Sequence, residues 1–259
     1  MKKIFVVILA LAMIAAVFSG CSAKTTYRTV DDIKKAGELR MMTNAGFEPY
    51  EYKAGGNVVG VDVELAQMVA DALGVKLTII DMDFDLLVDA LASGKGDIIA
   101  AGMTATEERA KSVDFSVNYV DNVLKIVVPV DSDIKTFEDL AGKRVAVQEG
   151  TTSDMYVTDN VGAAEVLRFK DAIIGGDAVK TNKADACVLD LKPAEGVVAN
   201  SNGTLKMLDV STNEEQFAMA IAKGNQTLRD VVNSVLGPAY DNGVVDALVA
   251  KHMELTTGG

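Results

Sequence analysis

The chain has 259 residues, 49% hydrophobic and 24% charged, enough for one large domain or two modest ones. Its formal net charge is −12, and an acidic surface of that size repels phosphate backbones, which excludes nucleic acid as a partner and points to solubility as the use of the charge. A single histidine, two cysteines, and no Walker motif, dinucleotide glycine motif or metal-ligand spacing leave little material for catalysis and imply no cofactor or metal.

Taken in chain order, Met1-Lys-Lys precedes the apolar stretch Ile4 to Phe18 and then Ser19-Gly20-Cys21. This reads as a secretory signal over 1–20 with a bacterial lipoprotein cleavage site before Cys21, the apolar stretch being too short to span a bilayer. Phe18 stands where leucine is more usual, and ordinary cleavage nearby or an uncleaved anchor are the alternatives to lipidation at Cys21. Cleavage would remove Lys2 and Lys3 and make the mature chain more acidic still. Acylation of Cys21 would leave only Cys187, so no intramolecular disulfide is expected, and Cys187 reads as a buried small hydrophobe. Residues 21–33 are expected to be the lipidated cysteine and a polar tether.

The rest alternates strand and helix signals, which implies an α/β fold with largely parallel sheets. Strands are predicted at 38–43, 76–80, 97–101, 144–147, 166–169, 184–189 and 217–222, and the apolar run 123–130 reads as a crossing strand. Helices are predicted at 61–73, stopped by Gly74, at 86–91, from Thr106, from Gly150-Thr-Thr-Ser153, at 171–181, and at the C-terminus near 226–236 and 244–252. No flexible linker separates two lobes, which suggests that the chain passes between them on strands.

Gly102-Met-Thr-Ala-Thr-Glu-Glu-Arg109 follows an apolar strand. The glycine permits close approach to backbone, Thr104 offers a hydroxyl and an N–H, and Arg109 carries a planar fork that fits a carboxylate. A strand–turn–helix junction with a capping Thr and a solvated Arg would look the same. Phe47 and Phe84 lie at strand ends, where α/β sheets bind ligands, and are candidate ligand walls; Tyr50 and Tyr52 are expected to pack their loop. Thr152 opens a helix, whose free N–H groups suit an anion. Asp190 closes a strand and could hold an ammonium or cap the next helix. Asp81, Asp83 and Asp85 alternate, but Leu86 and Ala92 stand where a calcium loop wants Gly and Glu, so Asp85 is read as a helix cap. Glu149 and His252 are expected at the surface.

In this order, the segments 47–52 (FEPYEY), 59–74, 102–116, 145–156, 184–190 and 217–225 resemble the amino-acid-binding proteins of ABC importers, family 3 of the bacterial extracytoplasmic solute-binding proteins, from about Leu39 to Leu248. The resemblance implies a two-lobed periplasmic-binding-protein-like α/β fold with two hinge-crossing strands, near 119–123 and 215–217. Lobe 1 would hold 34–120 plus 216–259, and lobe 2 would hold 121–215. It implies that Arg109, Thr104 N–H and Thr152 take a ligand α-carboxylate, that Gly102 C=O, the Thr104 hydroxyl and Asp190 take its ammonium, and that Phe47 and Phe84 sandwich its side chain. Asn44 and Gln148 fall where the family varies with ligand. Asn44 is neutral where members binding glutamine or basic amino acids carry an acid, which weakens a cationic ligand unless Asp85 points inward.

The implied protein captures a polar L-amino acid, works as a monomer anchored outside the membrane through Cys21, and docks on an ABC permease. The alternative on the same scaffold is a prephenate or arogenate dehydratase, which needs a spare general acid that no carboxylate here obviously supplies. A sensory ligand-binding lobe is a third reading, and no membrane-spanning run follows the lobes to support a single-chain receptor.

Overall fold

The computed structural model describes residues 27–258. The expected leader, Cys21 and the first part of the tether lie outside the described residues.

Among the described residues, two five-stranded sheets organise the fold. The first has β1 (Glu38–Thr43), β4 (Lys76–Asp81), β5 (Ile98–Ile99), β6 (Val113–Asn122) and β12 (Glu215–Ala222) in the order β4-β1-β5-β12-β6. Its first three strands run parallel, and β12 is antiparallel to β5 and β6. The second has β7 (Leu124–Pro129), β8 (Arg144–Gln148), β9 (Glu165–Phe169), β10 (Ala186–Asp190) and β11 (Leu205–Met207) in the order β11-β7-β10-β8-β9. A hairpin of β2 (Tyr52–Ala54) and β3 (Asn57–Val59) stands apart.

The inner strands β5, β8, β10 and β12 are apolar on both faces because both faces are covered. Neighbouring residues point to opposite sides: Met41, Ile98 and Ile221 enter one core while Met42, Ile99 and Ala220 enter another. In the second sheet Val127, Ala146 and Cys187 face one way, and Ile126, Val147 and Val188 the other. Cys187 is fully buried, which pushes its thiol pKa up. Helix α2 (Val61–Leu73) lays Leu65, Ala66, Val69 and Leu73 on the first sheet and ends at Gly74 in the left-handed conformation.

The chain leaves the first sheet at Asn122, and after Val123 it is already in β7 of the second. It returns after β11 to enter β12 at Glu215, whose Cα pairs with Asn122. The two passages therefore lie side by side between the lobes.

Four expectations are corrected. Helix α1 (Val30–Ala36) begins within the segment read as tether, because Thr29 and Asp32 form a reciprocal capping box and Ile33 is buried. No α-helix starts at Thr106: the segment folds as turns and a single 3-10 turn, Arg109–Lys111, since β6 claims the chain from Val113. Asp85 caps no helix; it sits inside the 3-10 turn Phe84–Leu86 before α3 (Leu87–Ala92) and reaches Lys170 at 3.1 Å. His252 is buried, bonded to the Tyr52 hydroxyl at 2.9 Å and to Glu64 at 2.7 Å, because α8 (Val244–Thr257), which follows α7 (Gln226–Asp241), packs against the hairpin side of α2.

Candidate functional site

A tight cavity of about 10 Å³ lies where the carboxyl ends of both sheets meet. From the first lobe, Phe47, Phe84, Gly102, Thr104 and Arg109 face it; from the second, Gln148, Thr152 and Asp190 do. Asn44 stands one hydrogen bond behind, accepting from Gln148 Nε2 at 2.8 Å. Larger hollows exist, such as the groove of about 550 Å³ beside Tyr240 and Asp246, but the carboxylates of Asp121, Asp241 and Asp246 there are open to water.

Arg109 is 7% exposed. Its Nη1 donates to Thr104 C=O at 2.7 Å and its Nη2 to Gly150 C=O, in the opposite lobe, at 3.0 Å. A guanidinium has about five N–H groups, so three remain for a ligand. The Phe84 ring lies 5.2 Å from its central carbon. Burial lowers the pKa to about 10, and the charges of Asp190 and Glu215 oppose that fall, so the side chain is a cation at neutral pH.

Gly102 takes a positive φ of 51°, and a Cβ there would lie 2.4 Å from the Phe47 ring. Only a glycine lets the ring close over this turn. Phe47 is held in turn by Tyr50, stacked at 5.6 Å, while Tyr50 packs edge-on to Phe217. The Gly102 N–H donates to buried Asp62 at 2.8 Å, and the Tyr119 hydroxyl donates to the same oxygen at 2.7 Å. Burial raises Asp62 to about 6.

Asp190 ends β10. Its backbone stands at the N-cap of α6 (Leu191–Ala199), but its side chain does not cap; it accepts from Asn122 Nδ2 on the crossing strand. Burial, then the charge of Glu215, raises its pKa to about 7. Thr152 opens α4 (Thr152–Asn160), with Thr151 as the cap. The Thr104 and Thr152 hydroxyls, one from each lobe, both donate to Glu215 Oε2, at 3.1 and 2.8 Å.

Sequence reasoning missed Glu215, Asn122 and Asp62. Glu215 has one visible signal, an acid at the head of the apolar strand Phe217–Ala222; Asn122 and Asp62 gain their places only through pairing and packing. Glu149 is partly exposed and bonds Lys170 at 2.9 Å, at the rim and outside the residues that line the cavity.

A family model for bacterial extracellular solute-binding proteins, family 3, matches residues 39–254. The chain is 34% identical over 220 residues to the arginine-binding extracellular protein ArtP of Bacillus subtilis (strain 168), covering 83% of this chain and 85% of that one. It is 30% identical over 233 residues to a probable histidine-binding protein of Campylobacter jejuni subsp. jejuni, covering 89% and 91%. Among solved structures it resembles an arginine-bound ArgBP mutant from T. maritima at 43% identity and a TM-score of 0.78, covering 81% of this chain and 99% of that one. All three are named as binding proteins and none as an enzyme.

Proposed function

The chain belongs to family 3 of the bacterial extracellular solute-binding proteins, and we propose that it captures a polar L-amino acid, arginine foremost, between its lobes for delivery to an ABC permease. It is an extracytoplasmic amino-acid-binding protein and not an enzyme; the dehydratase alternative has no support among its relatives. The observation that carries the ligand class is Arg109, a buried cation with unspent donors in the same cavity as the buried acid Asp190. That is the charge pattern of a zwitterion. In this reading Arg109, the Thr104 N–H and the start of α4 take the carboxylate. Asp190, the Thr104 hydroxyl and Gly102 C=O take the ammonium, and Glu215 adds to their negative field. Phe47 and Phe84 offer flat faces to the side chain, which suits a guanidinium.

Arginine stands first because ArtP is named arginine-binding and the T. maritima relative is arginine-bound. Asp85 does not supply the acid that Asn44 lacks, since Lys170 occupies it. The Cys21 anchor, the permease contact and the monomeric state belong to the same proposal. Calorimetric titration of the protein with the twenty amino acids, after unfolding and refolding to remove carried-over ligand, tests it. Tight saturable binding of arginine is expected, and binding of no amino acid would sink the assignment.

A further inference from the structure

The cavity has a second set of polar groups that the zwitterion does not use. Gln148 reaches across the cleft, its Nε2 donating to Asn44 Oδ1 at 2.8 Å and to Lys170 C=O at 3.1 Å. Asn44 Nδ2 donates to Met82 C=O at 3.1 Å and to Asp171 Oδ1 at 3.4 Å. Both amides thus spend their N–H groups on the protein. Gln148 Oε1 accepts no hydrogen bond among the described residues, so what this wall offers a ligand is acceptors.

Asp171 supplies charge behind those acceptors. It precedes α5 (Ala172–Lys180) at the N-cap position, yet its side chain caps nothing. It makes no ion pair among the described residues. Its chain neighbour Lys170 is held by Asp83, Asp85 and Glu149 at 2.9 to 3.3 Å, three carboxylates around one ammonium. Lys53 is paired with Asp81 at 2.8 Å. The carboxylate of Asp171 also lies against the first lobe at Gly46, where a Cβ would come within 2.8 Å of it. A residue of the second lobe is thereby set beside the two amides, in a region where acids outnumber lysines.

We propose that Asp171 is a specificity-determining residue, selecting a cationic ligand side chain over a neutral one of the same shape. The inference rests on the reading that Arg109 holds the ligand carboxylate. A side chain running between Phe47 and Phe84 toward Gln148 meets amide oxygens that serve any N–H donor, and Asp171 adds the charge that tells a guanidinium from a urea. Asn44 is neutral, so the selecting charge comes from the opposite lobe, behind the amides, and acts on the ligand only when the lobes are together.

The test is calorimetric titration of stripped wild type and Asp171→Asn with L-arginine and its neutral isostere L-citrulline. The wild type should prefer arginine; the variant should lose about tenfold or more for arginine and keep citrulline within about threefold. Asp171→Glu, which keeps the charge, should retain most of the preference, and both variants should melt near the wild type because the side chain caps nothing. An unchanged arginine-to-citrulline ratio in Asp171→Asn, whether both affinities fall together or neither falls, overturns the inference and leaves the zwitterion reading standing. A wild type that binds no arginine overturns the arginine reading, and this inference with it.

Discussion

Arg109 is held by two carbonyls from different lobes and still has donors to give, so its removal deletes a lobe contact and, in the proposed reading, the partner of the ligand carboxylate. Leaving a carboxylate unpaired in a closed, water-poor site costs about 3–5 kcal/mol, and Arg109→Ala should weaken arginine binding by at least about 100-fold. Arg109→Lys keeps the charge but loses the fork, and should fall between the two. Titration calorimetry of both variants measures this, and near wild-type affinity in the alanine variant would contradict the clamp. Asp190 makes a separate prediction. With its pKa at about 7, it takes up a proton as pH falls below neutrality, and a protonated carboxyl no longer pairs with an ammonium. Affinity for arginine should therefore drop between pH 7 and pH 5, approaching about tenfold per unit. Asp190→Asn should bind more weakly with a flatter profile, and a flat wild-type profile would remove Asp190 from the ammonium site.

Single elements show what the sequence makes legible. The bounds of α2 coincide with the apolar periodicity of Val61 to Leu73 and the glycine that follows, because one face of that helix alone decides its burial. Strands such as β8 are legible for the same reason: their apolar run is needed on both faces. The segment 106–111 is not, since its length is set by where β6 must begin. Nor is the β2–β3 hairpin, whose residues are mostly partly exposed or exposed, so that no apolar alternation marks it. In the site, Phe47, Gly102, Thr104, Arg109 and Asp190 stand at strand ends that the pattern exposes, whereas Glu215 gains its place only because β12 sets it between hydroxyls of two lobes. The approach of the loop after β1 to the start of α5 is equally invisible along the chain, and it rests on Gly46. Gly46→Ala meets no positive φ, only the Asp171 carboxylate. It should leave the melting temperature nearly unchanged and weaken arginine and citrulline alike, because it holds the lobes apart. Small-angle scattering with saturating arginine should show less compaction than in wild type; full compaction with unchanged affinity would mean that the contact plays no part in closure.

Across the whole molecule, the cleft and the adjoining core hold more negative charge than they neutralise. Asp190 and Asp62 are raised to about 7 and about 6, and Glu51, fully buried with neither carboxylate oxygen bonded, is also raised. The unfolded chain releases these protons near the ordinary carboxylate pKa of about 4. Between pH 4 and pH 7 the native protein therefore binds more protons than the unfolded one, and its stability falls as pH rises through that window. The lowered carboxylates, such as Asp32, Asp139 and Asp185, act in the opposite sense, but below about pH 4. The stripped protein should thus melt higher at pH 5 than at pH 7.5, by about 2–4 °C for each kcal/mol in a chain of this size. If arginine binds as proposed, it should reverse part of that trend, since its ammonium would favour the charged form of Asp190 and its affinity would be greatest near neutrality. The stabilisation by a fixed excess of arginine should accordingly be larger at pH 7.5 than at pH 5. Thermal melts at the two pH values, with and without arginine, read both slopes; equal ligand stabilisation at both would show that the buried acid and the ligand ammonium do not meet.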